Sequence, residues 1–193
     1  MVISGLRIGG AETQVCDLSD KLHELGHDLR IITLLSGAEI VPISREIKII
    51  ELNFDKYGLF SGLSKFRTSI KTFKPDVVHA HLFHAIVLSR IIRLFVSIPK
   101  LIGTHHGMKE TSFFRRALFA VTDFLEDMTT AVSIKASKAY KNVSPIASNG
   151  VRVIHNAIEL TKFRFSEEKR VVLRAKLGIS NESKVILAIG RLV

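Results

Sequence analysis

Unbroken apolar runs that alternate with helix-period segments constrain this chain more than any other feature. The runs at residues 1–4, 29–35, 47–52, 77–81, 100–103, 129–132, 152–155 and 184–189 predict strands. The segments 11–25, 63–73, 85–95, 113–125, 134–140 and 167–177 predict helices. A strand of continuous Val, Ile and Leu is apolar on both sides, so both of its faces must be covered. Helices between such strands provide the cover in a parallel sheet, and right-handed crossovers wind that sheet in two directions. The expected fold is α/β, a doubly wound and mostly parallel Rossmann-like sheet. Ligands of such sheets bind at the carboxyl ends of the strands.

Both ends of the chain read as cut. The first run has about four residues, where ~5–6 is usual. The run at 184–189 is a buried-strand pattern followed by four residues and no helix. The expected division is residues 1–165 as one domain, with 166–193 as a linker helix and the start of an incomplete second domain.

With 47% apolar and 24% charged residues, the 193-residue chain has ample material for a core. A single cysteine, Cys16, excludes an internal disulfide or a cysteine-built metal cluster and suits a reducing compartment. It reads as a small helix residue. The N-terminus lacks the basic-then-apolar pattern of a signal peptide. The most apolar helical stretch, 85–98, is interrupted by Arg90 and Arg93 and is too short to span a bilayer. The expected location is therefore cytoplasmic, peripheral on the inner face of the cell membrane.

The formal charge of +10 points to an anionic partner. Nucleic acid is disfavoured, because no helix-turn-helix, RNP or zinc-finger signature is present. Three stretches mix cations with phenylalanine: 65–74, 90–95 and 113–116. The first and third suit docking on an anionic membrane surface, where each basic side chain contributes about 1 kcal/mol. A core-facing Phe stripe beneath solvated cations fits the same pattern.

Several polar clusters fall at the carboxyl ends of expected strands. Gly9 and Gly10 open the first helix directly after the first strand, so backbone N–H groups and the positive helix end can approach an anionic or hydroxyl-rich ligand. Tight packing alone also explains such a pair. In the run Pro75–His81, His79 and His81 share a face by the period of two, and His84 follows. No Asp, Glu or Cys joins them at metal-ligand spacing, so His81 is expected to line a cleft. His106, beside Gly107 at the end of the next strand, suits a group that exchanges hydrogen bonds with a ligand near neutral pH. A solvated loop histidine is the alternative. Asn156 follows another strand and either holds a turn or meets a ligand. Arg191, after Gly190, suits bidentate binding of a diphosphate. A Rossmann oxidoreductase is disfavoured: the loop is not G-x-G-x-x-G, and no acidic residue ends the second strand near 33–35.

In order, the segments Gly9-Gly10-Ala11-Glu12, Gly26-His27-Asp28, Pro75-Asp76-Val77-Val78-His79-Ala80-His81, Thr104-His105-His106-Gly107, Val132-Ser133, Val153-Ile154-His155-Asn156-Ala157-Ile158 and Val185-Ile186-Leu187-Ala188-Ile189-Gly190-Arg191-Leu192 resemble the family-4 glycosyltransferases of two-domain GT-B fold. The resemblance covers essentially the whole chain, as an N-terminal domain plus the first strand of the C-terminal domain. It implies transfer of sugar from a nucleotide-sugar donor to a glycan or lipid-linked acceptor, with retention at the anomeric carbon and no metal or other cofactor. It assigns His106 to the donor sugar and transition state. It places Gly9 and Gly10 near donor phosphates and acceptor. Glu12, His81 and Asn156 are further candidate substrate-binding positions. The resemblance makes Arg191 the first of a basic pair that neutralises the leaving diphosphate. The family's lysine after the Gly-Arg-Leu segment and its paired glutamates are not in this chain, so little turnover is expected from these residues alone. Nucleotide-sugar 2-epimerases share the architecture and would need an acid/base pair, for which Glu12 is the one suitable carboxylate at a strand end. A non-catalytic binding domain is the third alternative.

Overall fold

The computed structural model describes residues 1–107, 113–143, 150–161 and 163–189. The chain falls into two units, Met1–Asn156 and Ala157–Val193.

The first unit holds β1 (Val2–Ile3), β2 (Arg30–Thr33), β3 (Lys48–Glu51), β4 (Val77–His81), β5 (Lys100–His105), β6 (Met128–Ala131) and β7 (Val151–Val153). All pairs are parallel, in the order β3-β2-β1-β4-β5-β6-β7. The helices are α1 (Gly10–Glu24), α2 (Phe54–Phe73), α3 (Phe83–Arg93), α4 (Phe113–Thr122) and α5 (Ile134–Val143), with a 3-10 turn at Asp123–Leu125.

Two apolar clusters explain why the sheet forms. Ile3 and Ile31 pack with Val15 and Cys16 of α1. Their strand neighbours Val2 and Ile32 pack with Phe66 and Ile70 of α2, Ile86 of α3 and Phe119 of α4. Successive strand residues point to opposite faces, so the clusters lie on opposite sides of the sheet. The α/β, doubly wound expectation therefore holds. Each fully buried side chain of this size contributes about 1.5–3 kcal/mol.

Helix α1 ends as its sequence demands. Gly26 takes φ +89°, its N–H donates to the His23 carbonyl at 2.8 Å, and that of His27 donates to Leu22 at 3.1 Å. Helix α2 begins nine residues before the expected start at 63. Gly58, at φ 76°, kinks it, and the Phe54 ring fills the space a Gly62 side chain would take. Two glycines thus hide the first turns from a periodicity reading. Strand β5 runs two residues past its expected end because β4 and β6 continue to pair with it.

In the second unit, α6 (Glu167–Lys176) is capped by Ser166, whose Oγ accepts from the Lys169 N–H at 3.3 Å. Residues 184–189 are not a strand, which corrects the expectation there. A strand requires a ladder partner, and the described residues of this unit contain none. Ile186 is 99% exposed.

Candidate functional site

The strand order reverses at β1, which pairs with β2 on one side and β4 on the other. Crevices form at such reversals, outside the carboxyl ends of the strands. Ile3 is in register with His81, and His81 with Thr104 of β5. The glycine loop leaves β1 on this edge. His106, two residues beyond Thr104, leaves β5 on the same edge.

The histidines meet there. His81 Nδ1 lies 3.0 Å from His106 Nε2. The rings of His79 and His81, on one face of β4, are 4.1 Å apart. His79 Nε2 bonds Thr104 Oγ1 at 2.6 Å, and Thr104 bonds Thr130 Oγ1 at 2.6 Å. A polar chain therefore crosses β6, β5 and β4 and ends at His106. Burial lowers all these imidazole pKa values: His79 to about 4, His81 well below its usual value, and His106 below 6.5. The rings are neutral at pH 7. They present hydrogen bonds, not charge. Among the described residues, no three His, Cys, Asp or Glu side chains converge as a metal site.

The turn after His81 is unusual. Leu82 takes φ 70° and ψ 159°, a region proper to glycine, as the N-cap of α3. Its side chain packs beside the α1 cluster, which holds that geometry. Gly107, directly after His106, has φ +149°.

His105 faces the opposite side. It is buried against Phe119 and Tyr140, with ring centroids 5.2 and 4.1 Å away, and burial lowers its pKa to about 3. Helix α1 starts at Gly10, and Gly9 is its extended N-cap. The Glu12 carboxylate folds back over Gly9, into the space of a missing Cβ. Asn156 is exposed beyond β7, two strands away from β5, and outside the histidine cluster. Arg191 lies outside the described residues.

Sequence reading missed a second cluster beneath β5. Arg90 is fully buried. It donates to Glu126 (3.0 Å), Asp123 (2.9 Å), Tyr140 Oη (3.0 Å), Thr122 (3.1 Å) and the Phe119 carbonyl (3.1 Å). Tyr140 Oη also donates to Asp123, and Thr129 to Glu126. In the 90–95 stretch Arg90 is internal and Arg93 pairs with Asp127 at 2.8 Å, while Leu94 and Phe95 are exposed. In the 65–74 stretch, Phe66 is buried and Phe73 lies under the Arg30 guanidinium. Phe113 and Phe114 are exposed, at 85% and 73%. Arg115 nearby lies over the Phe83 ring. No helix among the described residues is long and apolar enough to cross a membrane.

Comparison with known proteins matches this architecture. The family model of Glycosyltransferase Family 4 matches residues 8–162. No curated protein sequence matches the chain. HepE from Anabaena, solved in complex with UDP, is similar with a TM-score of 0.70 and 17% identity, over 92% of this chain and 49% of that one. Sucrose-phosphate synthase from Thermosynechococcus elongatus gives 0.68 and 17%, over 94% and 52%. The UDP-GlcNAc 2-epimerase of Methanocaldococcus jannaschii gives 0.51 and 15%, over 80% and 45%. At these identities the likeness is one of fold. The chain spans about half the length of these structures.

Proposed function

The chain belongs to glycosyltransferase family 4, and on that premise we propose that it forms the acceptor-side half of a retaining sugar transferase. The donor is a nucleotide sugar, and the acceptor a glycan or a lipid-linked saccharide. The observation that carries this reading is the 3.0 Å bond between His81 and His106 at the carboxyl edge of the sheet, the edge on which β1 leads into the glycine loop. A buried neutral imidazole suits a sugar, because hydroxyl groups are read by hydrogen bonds and not by charge. Fixed polar groups aimed where charge develops lower the barrier to leaving-group departure. In this reading His106 faces the donor sugar, the N–H groups at Gly9 and Gly10 approach its phosphates, and Arg191 neutralises the departing diphosphate. No metal is assigned a role. Exposed Phe113 and Phe114 support contact with an anionic membrane surface on the cytoplasmic side.

The test uses the gene product that contains this chain, with labelled UDP-, GDP- and ADP-sugars. Labelled product that forms only when oligosaccharide or membrane-lipid acceptor is added supports transfer. An altered nucleotide sugar without acceptor establishes epimerisation instead. Failure to bind or consume any of the three donors overturns both readings.

A further inference from the structure

We propose that the outer faces of α4 and α5 form one docking surface for an anionic lipid bilayer, with apolar side chains of α4 entering the headgroup layer and lysines of α5 meeting the lipid phosphates beside them. The inference deepens the membrane contact in the reading above, and rests on it only for the presence of a bilayer: it names which side chains meet which part of the lipid.

A helix on the surface of a soluble domain turns its apolar stripe to the core and polar residues to water. Helix α4 departs from this rule. Phe119 and Thr122 are buried on its inner side. On the other side Phe113, Ala117 and Val121 recur every fourth residue, with Phe114 next to them. Phe113, Phe114 and Val121 are all exposed. The side of α4 that faces water is thus apolar.

Helix α5 supplies charge. Ala136, Ser137 and Tyr140 are buried, while Lys135, Lys138 and Lys141 line its exposed face. The two helices are neighbours: Arg116, in the first turn of α4, donates from Nη2 to the Asn142 carbonyl, in the last turn of α5, at 2.9 Å. Neither helix contains an acidic residue. The acids of the connection between them are used elsewhere. Asp123 and Glu126 close around Arg90, and Asp127 pairs with Arg93. The lysine row therefore has no counter-charge from α4, α5 or the segment that joins them. An apolar stripe beside such a row complements a bilayer with anionic headgroups: rings reach the acyl boundary while ammonium groups stay at the level of the phosphates. A second copy of this chain fits worse, because two such faces bring cations against cations.

The test is sedimentation of the gene product that contains this chain with vesicles of phosphatidylcholine, alone or mixed with phosphatidylglycerol. Binding is expected only with phosphatidylglycerol, and it weakens as salt rises. The triple change Lys135→Gln, Lys138→Gln, Lys141→Gln should lower the partition constant by about fivefold per lysine. Phe113→Ser with Phe114→Ser should lower it by about tenfold or more and leave the salt dependence in place. All five positions are exposed, so melting curves of both variants should match that of the unaltered chain. No binding to the mixed vesicles, equal binding to both vesicle types, or unchanged binding in either variant overturns the inference. So does self-association that Phe113→Ser with Phe114→Ser abolishes, since a second copy then covers the face. Transfer to a water-soluble acceptor is measured without vesicles, so a failure here leaves the transferase reading standing, and the reverse.

Discussion

Arg90 reaches Glu126 from Nε at 3.0 Å and Asp123 from Nη2 at 2.9 Å, and all three side chains are closed off from water. Burial pushes the Glu126 carboxyl pKa up, and the Arg90 charge opposes that rise. Removal of the cation strands two carboxylates in a poorly solvated site. Arg90→Met is expected to lower unfolding free energy by about 3–5 kcal/mol, since a broken buried pair leaves uncompensated charge. Urea denaturation measures this. A loss under about 1 kcal/mol contradicts the account. The triple change Arg90→Met, Asp123→Leu, Glu126→Leu should recover part of the loss.

Two glycines of this fold separate packing from function. A Cβ at Gly103 would strike the Glu126 carboxylate, which Arg90 and Thr129 hold in place. Gly103→Ala is expected to cost about 1–3 kcal/mol by overpacking. A Cβ at Gly9 would strike the Glu12 carboxylate, the free end of a half-buried side chain that can swing away. Gly9 is in extended backbone that any residue adopts. Gly9→Ala should therefore cost under about 1 kcal/mol in thermal melts, while it weakens nucleotide-sugar binding by several-fold. Equal destabilisation by the two alanines argues against this distinction.

The buried histidines set an acid limit on stability. Their pKa values are depressed in the folded chain, His79 to about 4 and His105 to about 3, against about 6.5 when unfolded. Between those values the unfolded state binds more protons, so stability rises with pH there. Their contribution is complete above about pH 6.5 and is lost as pH falls through the folded values, by up to about 1.4 kcal/mol per pH unit for each histidine. Melting curves from pH 7.5 to 4.5 should show a falling Tm, with a shallower fall in His105→Phe. A flat profile would show that these rings are solvated.

Much of this was legible in the sequence, for a physical reason. Local periodicity fixes local structure, so the runs at 29–35 and 77–81 and the stop at Gly26 were read within a residue or two of where they fall. The placement of His79 and His81 on one face followed from strand alternation alone. The Arg90 cluster was not legible, because its partners lie 33, 36 and 50 residues away in sequence. An arginine in an apolar helix gives no local sign of whether its charge is solvated or paired. The run at 184–189 shows the converse: an apolar pattern is necessary for a buried strand, but a ladder partner decides it.

The connection between β2 and β3 depends on carboxylates, and Asp20 of α1 carries the clearest test. Its two oxygens accept the backbone N–H groups of Ile43 at 2.8 Å and Ser44 at 2.9 Å. Glu51 accepts those of Gly37 and Ala38, and Asp55 holds Ser36. The same segment donates from Glu39 and Ile40 to the Leu6 carbonyl, so it braces the chain that leads into the glycine loop. Asp20→Ala leaves two backbone donors without an acceptor in a partly buried place. Each unsatisfied donor costs about 1–3 kcal/mol unless water reaches it. The expected outcome is a loss of about 1–3 kcal/mol overall, with faster amide exchange at Ile43 and Ser44 and at the glycine loop. Asp20→Asn, which keeps one acceptor oxygen, should lose less. Unchanged exchange at both amides in Asp20→Ala would mean that the segment is held by its backbone bonds to Leu6 alone.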